Sequence, residues 1–542
     1  MIKLKRMIIL IAVLVFAINS WAQETTITGV VTSAEEENPI VNVDIRLKGA
    51  LEVSSRTDNA GRYTITIPAN SSNVLIFTHQ DFDAAEVNVL GKSIANVKMY
   101  SAIRRNQYGQ IVTRQQLSAE SHDGFIAFES KDKNFKFWFD NRVYLDGATF
   151  FDNYDNNLTE AENKDLYQIN VPGQLLKLRR MRFAIKANVG DNWYGEIDFD
   201  FDGNIVDIKD AYLRRYFGQT GSPWGHISIG QFRMPQGMQQ NTSSRHLKLM
   251  ERASAYEFNP NRKLGIAWKS WNETYYFGFG LHTEEIRNEH DRIEGDPYYF
   301  KSPDSDNYGE IDYMQSASPM LGLSTRGVYY FKNETGKLLS LGLGYSARTP
   351  GLYKHPDKRI KYDPKDETRV SELEFAVAKI GGVKLAHNLN VDAAISRGPW
   401  RMTGEYYYNI LTMESGDDAI NFSGFYIQSA YLLTGENHPW NYREGEFTQV
   451  KAKDKSGAWE IAARYSYINL NDFDRGQTNG QTGQYTIGLN YYATNNVKFM
   501  LNYSYVNHDR YADGSGDYKG YIDENGTGFD YSFIAWRCQI SF

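Results

Sequence analysis

The 542-residue chain has a single cysteine, Cys538, so neither an internal disulfide nor a cysteine-cluster metal site can form. Beyond the first 22 residues there is no apolar run of roughly 18 residues, which excludes a helical membrane span from the rest of the chain. Basic residues are in deficit: 59 Lys and Arg against 66 Asp and Glu leave a formal charge of −7. General basicity therefore cannot drive nucleic-acid binding. What is abundant is aromatic and small, with 38 Tyr, 29 Phe and 45 Gly. That composition is too apolar for disorder, and the length allows more than one domain.

Residues 1–22 read as a secretory signal. Lys3, Lys5 and Arg6 precede an apolar run from Met7 to Ile18, and Ser20-Trp21-Ala22 puts small residues at the cleavage positions before Gln23. No cysteine follows the signal, so a lipoprotein is not expected, and the mature chain is expected to be exported.

Residues 23–100 read as a small β-sandwich. Val41, Val43, Ile45 and Leu47 alternate with polar residues, the period of a half-buried strand. Thr57-Asp58-Asn59-Ala60-Gly61 is a turn, and further strands are expected at 27–31, 62–67, 74–77 and 87–90. Residues 101–125 are polar and read as a linker.

Residues 126–542 read as a transmembrane β-barrel. In the last strand Ile534, Trp536, Cys538, Ile540 and Phe542 share one parity and Ala535, Arg537, Gln539 and Ser541 the other. A strand with one apolar and one polar face, ending on an aromatic, suits a wall between lipid and water. The same alternation recurs at 339–346, 459–466, 486–491 and 498–505. Tyr144, Trp193, Tyr275, Tyr276, Tyr406 and Tyr491 are expected to form interfacial girdles. Sixteen strands are expected, near 135–147, 176–189, 193–202, 207–217, 224–233, 263–270, 274–283, 319–332, 337–348, 387–397, 400–411, 419–433, 457–469, 483–493, 496–507 and 529–542. An even number puts both barrel ends in the periplasm, with tight turns there and long loops outside. Segment 434–456 breaks that rule, because it is long yet falls on the periplasmic side. A barrel of this width leaves an aqueous lumen, and no residues remain for the plug of a TonB-dependent transporter.

Strand parity also predicts lumen chemistry. If Met181, Phe183 and Ile185 face lipid, then Arg180, Arg182 and Lys186 face the pore. On the next strand Glu196, Asp198, Asp200 and Asp202 face it too, followed by Asp210, Tyr212 and Arg214. The two columns either neutralise each other or set up a transverse field that orients solutes. Segment 234–262 either folds into the lumen or lies outside as a solvated loop; it carries Arg245, His246, Lys248 and Arg252. No catalytic set, cofactor motif or metal site is expected. Asp198-x-Asp200-x-Asp202-Gly203 imitates a calcium loop, but Lys209 stands where that loop needs Glu.

Two resemblances add to this reading. Gly29-x-Val31, Pro39, Val43 and Thr57-Asp58-x-x-Gly61-x-Tyr63 resemble the carboxypeptidase regulatory-like domain, although His79-Gln80-Asp81-Phe82 departs from its Ser-Gly-Tyr. That likeness implies a docking or spacer module ahead of an outer-membrane protein of the Bacteroidota. Leu178-Arg179-Arg180-Met181-Arg182-Phe183, Lys209-Asp210-Ala211-Tyr212-Leu213-Arg214, Ile229-Gly230-Gln231-Phe232-Arg233-Met234-Pro235, Leu433-Thr434-Gly435-Glu436 and Gly457 to Ser466 resemble, in that order, the phosphate-selective porin O and P family. The resemblance implies a homotrimeric 16-stranded outer-membrane porin in lipid, while the even strand number puts the N-terminal domain, an addition to the family pattern, in the periplasm. It also implies an arginine-rich constriction, carried here onto Arg180, Arg182, Arg214, Arg245, Lys248 and Arg252. The expected function is diffusion of small hydrophilic solutes with anion preference. The alternative is a structural subunit of a larger outer-membrane complex, docked through the N-terminal domain.

Overall fold

In the computed structural model, the residues described are 24–69, 71–105, 111–113, 117–122, 125–130, 133–152, 174–202, 206–218, 224–286, 320–350, 360–371, 374–509, 511–512 and 530–542. The expected signal, and most of the expected loops at 148–175, 284–318 and 508–528, lie outside them. Contacts divide the chain into units at 1–116 and 117–542.

The first unit is a seven-stranded sandwich followed by a short hairpin. One sheet orders strands 62–67, 25–33 and 97–99; the other orders 50–56, 44–47, 74–79 and 82–88. Their inner faces interlock through Ile27, Val31, Ile45, Tyr63, Ile65 and Phe77, all buried. The alternation read at 41–47 is visible in the burial of Ile45 and Leu47. Strands 50–56 and 97–99 escaped the sequence reading, and the last outer strand runs 82–88 rather than 87–90. The expected linker is not bare coil: strands 103–105 and 111–113 pair within it. A second hairpin, 117–122 with 125–130, pairs onto the start of the barrel at Ala127↔Trp138 and Phe128↔Phe137. On the exposed surface of this unit Lys98 and Glu37 pair at 2.8 Å. Their hydrogen bond and charges hold the Glu37 carboxyl below, and the Lys98 amine above, its ordinary range.

The second unit is a closed antiparallel barrel of sixteen strands. They are β1 (Phe135–Asp152), β2 (Gln174–Val189), β3 (Trp193–Asp200), β4 (Asp207–Tyr216), β5 (His226–Arg233), β6 (Arg262–Trp271), β7 (Tyr275–His282), β8 (Gly322–Glu334), β9 (Lys337–Arg348), β10 (Val383–Arg397), β11 (Trp400–Met413), β12 (Ile420–Leu432), β13 (Ala458–Asp472), β14 (Gln477–Tyr492), β15 (Val497–His508) and β16 (Tyr531–Ser541). Each overlaps an expected strand. Closure is made by β1 and β16, from Arg142↔Ser541 to Asp152↔Tyr531. Parity holds around the wall: Ile534, Trp536 and Ile540 are 40–41 % exposed, while Ala535 and Arg537 between them are 0–1 % exposed. Cys538 lies on the outward parity. Of the expected girdle, Trp193, Tyr275 and Tyr406 are exposed, but Tyr144 and Tyr276 are buried in the lumen. There they lie under the guanidinium groups of Arg180 and Arg326. Both sit on the inward parity of their strands, and that outweighs the preference of tyrosine for an interface.

Among the described residues, three segments fold into the lumen and narrow it. The first, between β5 and β6, contains a one-turn helix, α1 (Met238–Asn241), and two 3-10 turns. Small residues on the inner wall make room for it: a Cβ on Gly278 would lie 2.7 Å from Pro235 Cβ. A wall carboxylate, Glu405 on β11, accepts the N–H groups of Met238 (3.1 Å) and Gln239 (2.6 Å) and the hydroxyls of Tyr407 and Tyr426. Gly237 stands before the helix at φ +61°, where a side chain would also meet that carboxylate at 2.8 Å. The second segment lies between β9 and β10 and is held by Glu367 to Arg464, Ser466 and the Ser254 N–H.

The third segment is the long one expected in the periplasm. It starts and ends at the rim that carries both ends of the barrel, here called the near rim, but its hairpin turns inward. Arg326 donates to Gly445 O at 3.1 Å, Tyr330 donates to Tyr442 O, and Lys269 meets Glu444 at 2.5 Å. Phe447 packs in one cluster with Met238, Tyr276 and Val328. The apolar and charged residues of this hairpin find buried partners inside, which no loop in water would give them.

Candidate functional site

In the far half of the lumen the first two inserted segments and β2 to β6 enclose a cavity of about 370 Å³. Arg179, Arg180, Arg182, Lys209, Arg233, Arg252, Arg262, Lys365 and Arg369 line it, against Asp200, Asp202, Asp207, Glu251 and Glu257: nine cations to five carboxylates.

The doubling of arginine on β2 has a backbone cause. The β1–β2 register steps from Tyr144↔Arg180 to Leu145↔Leu178, which leaves Arg179 as the extra residue of a β-bulge. Strict alternation would send Arg179 to the lipid; the bulge lets both arginines reach Glu251. Arg179 Nε lies 3.0 Å from Glu251 Oε1, and Arg180 Nη2 lies 3.4 Å from Oε2. Arg537 adds a third guanidinium at 2.7 Å. Burial alone would raise the Glu251 carboxyl, but Arg179, Arg180 and Arg537 hold it well below the usual range. Among the described residues, Arg180 keeps Nε and Nη1 buried without a hydrogen-bond partner. Arg233 likewise has an unpartnered Nε, while its Nη1 donates to Thr242 O at 2.9 Å. Buried, unsatisfied guanidinium donors on side chains that line a cavity suit an anionic guest.

Of the basic residues singled out from sequence, Arg180, Arg182 and Arg252 come together here, with Asp200 and Asp202 of the acidic ones. Arg252 donates to Gln239 O at 2.9 Å and Thr242 O at 2.6 Å and lies over the ring of Tyr256. The other four basic ones lie elsewhere. Arg214 is held by Ser228, Tyr212 and Tyr216 and is stacked on tyrosine rings. Arg245 reaches the near rim, pairing with Asp140 and donating to Ser541 Oγ at 3.2 Å. Lys186 shares Asp140 at 2.5 Å. Lys248 is buried against Glu460 at 3.0 Å and Tyr492 at 3.1 Å.

The acidic wall is largely answered by the basic one. Arg182 Nε meets Asp200 at 2.8 Å, Arg182 Nη1 lies 3.8 Å from Asp198, and Arg179 lies 3.6 Å from Asp202. Glu196 lies 3.4 Å from Lys186 and accepts from Tyr194 and Tyr212. Opposite charges at matching register, Arg182↔Asp200 and Lys186↔Glu196, explain the pairing. Glu196, Asp198 and Asp210 bring carboxylate oxygens within 4.8 Å of one another, and Arg262 makes a two-point pair with Asp210 at 2.7 and 3.1 Å. Arg179, Lys209, Arg233, Arg262, Lys365 and Arg369 were missed, Lys209 because its charge was weighed only as what spoils a calcium loop. The doubled Arg179-Arg180 was a signal for Arg179, and the strand-end positions of Arg233 and Arg262 for those two. Lys365 and Arg369 come from a segment with no periodicity.

A closed sixteen-stranded wall, apolar outside and charged within, with inserted segments narrowing the lumen, defines an outer-membrane porin. The family model for phosphate-selective porin O and P matches residues 154–531, and the chain belongs to that family, in the bacterial outer membrane. It is 23 % identical to Porin O of Pseudomonas aeruginosa over 438 residues, 75 % of this chain and 89 % of the relative. Among solved structures it is similar to OmpT, an outer membrane protein of Vibrio cholerae, at 10 % identity and a TM-score of 0.43, covering 75 % of this chain and 99 % of that one. The outer membrane channel DcaP of Acinetobacter baumannii matches at 11 % identity and a TM-score of 0.42, over 77 % of this chain and 99 % of that one.

Proposed function

We propose that this porin passes small hydrophilic solutes with a preference for anions, and that the preference is set in the arginine cavity. The observation that carries the reading is the excess of guanidinium over carboxylate there, with Arg180 left two unsatisfied buried donors. The description of the matched family points to phosphate as an anion to test. The salt bridges of the acidic wall argue for a modest preference rather than a dedicated phosphate site.

The protein works as a homotrimer in this proposal. Residues 24–100 form a carboxypeptidase regulatory-like module in the periplasm that docks a protein partner, and the signal at 1–22 is removed. The separate core of that module supports an autonomous role.

The test is single-channel conductance of the purified protein in a planar bilayer under a KCl gradient, with phosphate then added. An anionic reversal potential with phosphate block supports the proposal; conductance without anion preference overturns the role of the cavity. No conductance from a folded barrel would leave the assembly-subunit reading in its place.

A further inference from the structure

On the near-rim side of the arginine cavity lies a second, much smaller one of about 20 Å³. It is walled by Arg401, Lys248, Arg464, Thr242, Gln239 and Phe447 among others, and Glu251 lines both cavities. Arg464 is occupied by Glu367, and Lys248 by Glu460. Arg401, on β11, is different. It is 6 % exposed, and among the described residues its guanidinium makes neither an ion pair nor a hydrogen bond. Its Nη1 is buried without a partner. Its guanidinium lies over the ring of Phe447, 4.4 Å away. Glu460, a carboxylate close to this cluster, is already bound by Lys248, Tyr492 and Asn490. A buried guanidinium whose nearby carboxylate is shared with Lys248 and makes no ion pair with it is costly, and an anion in the adjoining space lowers that cost. The space is water-sized. A halide fits it; phosphate, a tetrahedral oxyanion, does not.

We propose that Arg401 marks a second anion station, which takes a single monatomic anion and turns phosphate back while Phe447 is in place. The ring of Phe447 closes the station from the side of the near-rim hairpin. This inference goes beyond the arginine cavity and does not need that cavity to select anions.

The test uses crystals of the full-length protein soaked in sodium bromide. An anomalous peak within hydrogen-bonding distance of Arg401 Nη1, lost in Arg401→Gln, supports the station. No peak there, or a peak that survives Arg401→Gln, overturns it, whatever bromide does in the arginine cavity. In bilayers, Phe447→Ala is expected to lower the chloride-to-phosphate permeability ratio several-fold by widening the station. An unchanged ratio in a protein that still conducts overturns the size filter. A halide at Arg401 in a channel with no anionic reversal potential would sink the main proposal and leave this one standing.

Discussion

Arg537 and Asp146 face each other across the seam that closes the barrel, joined by two parallel hydrogen bonds of 2.7 Å. Both are fully buried, and Arg537 Nη2 also reaches Glu251 on the first inserted segment at 2.7 Å. One guanidinium therefore ties barrel closure to the position of the lumen segment. Arg537→Met strands Asp146 and takes one of three guanidinium groups from Glu251, a change of about 3–5 kcal/mol for a broken buried pair. The expected outcome is loss of heat-modifiable mobility at a lower temperature. The double variant Asp146→Asn with Arg537→Gln should recover part of the loss. A single variant as heat-resistant as the wild type would show that the pair does not hold the seam.

Glu405, on β11, is a second anchor of the first inserted segment. Glu405→Ala leaves two N–H groups of the inserted segment and two tyrosine hydroxyls without an acceptor, at about 1–3 kcal/mol for each buried group. The segment should detach, and conductance should rise and become noisy. Glu405→Gln keeps an acceptor and should lie between the two. Quiet, wild-type steps from Glu405→Ala would mean that other contacts fix α1.

Arg180 and Arg214 are both inward arginines on the wall, but of the two only Arg180 lines the cavity and keeps buried donors without a partner among the described residues. Removing one charge-assisted hydrogen bond of about 1.5 kcal/mol weakens anion binding roughly tenfold. Arg180→Gln should move the reversal potential toward zero under a KCl gradient. Arg214→Gln should leave it in place, since that side chain is taken up by Ser228 and its tyrosines. Equal shifts from the two variants would assign selectivity to overall charge instead.

Anion preference should also depend on pH. Glu257 lines the cavity from the first inserted segment, and burial, then the neighbouring Asp363, pushes its carboxyl up to about 6, with Arg369 and Arg348 opposing. The raised value means that Glu257 takes up a proton as pH falls through about 6, and the cavity loses a negative charge. The anion-to-cation permeability ratio should rise between pH 7 and pH 5, and Glu257→Gln should flatten that rise. A wild-type ratio constant over this range would remove Glu257 from selectivity.

Much of the barrel was legible because alternation is local. A strand between lipid and lumen must change polarity at every residue, so β16 could be read from Ile534 to Phe542 alone. The same parity placed Arg180, Arg182, Glu196 and Asp198 inside. It failed where the backbone leaves strict alternation: the bulge at Arg179 turns a residue inward that parity sends out. At Tyr144 and Tyr276 parity prevailed over the preference of tyrosine for an interface, so both lie in the lumen and not in the girdle.

The sequence by itself determined the sixteen-stranded wall, its two faces and the charge of its lumen, since each follows from the side-chain period of a strand. The tertiary structure decided which charges meet. Lys248 finds Glu460, Arg245 finds Asp140, and Arg326 finds Gly445 only because three irregular segments fold inward. Their course has no period to read. It is set by buried polar groups that must find partners across the barrel, at separations in sequence that no local pattern encodes.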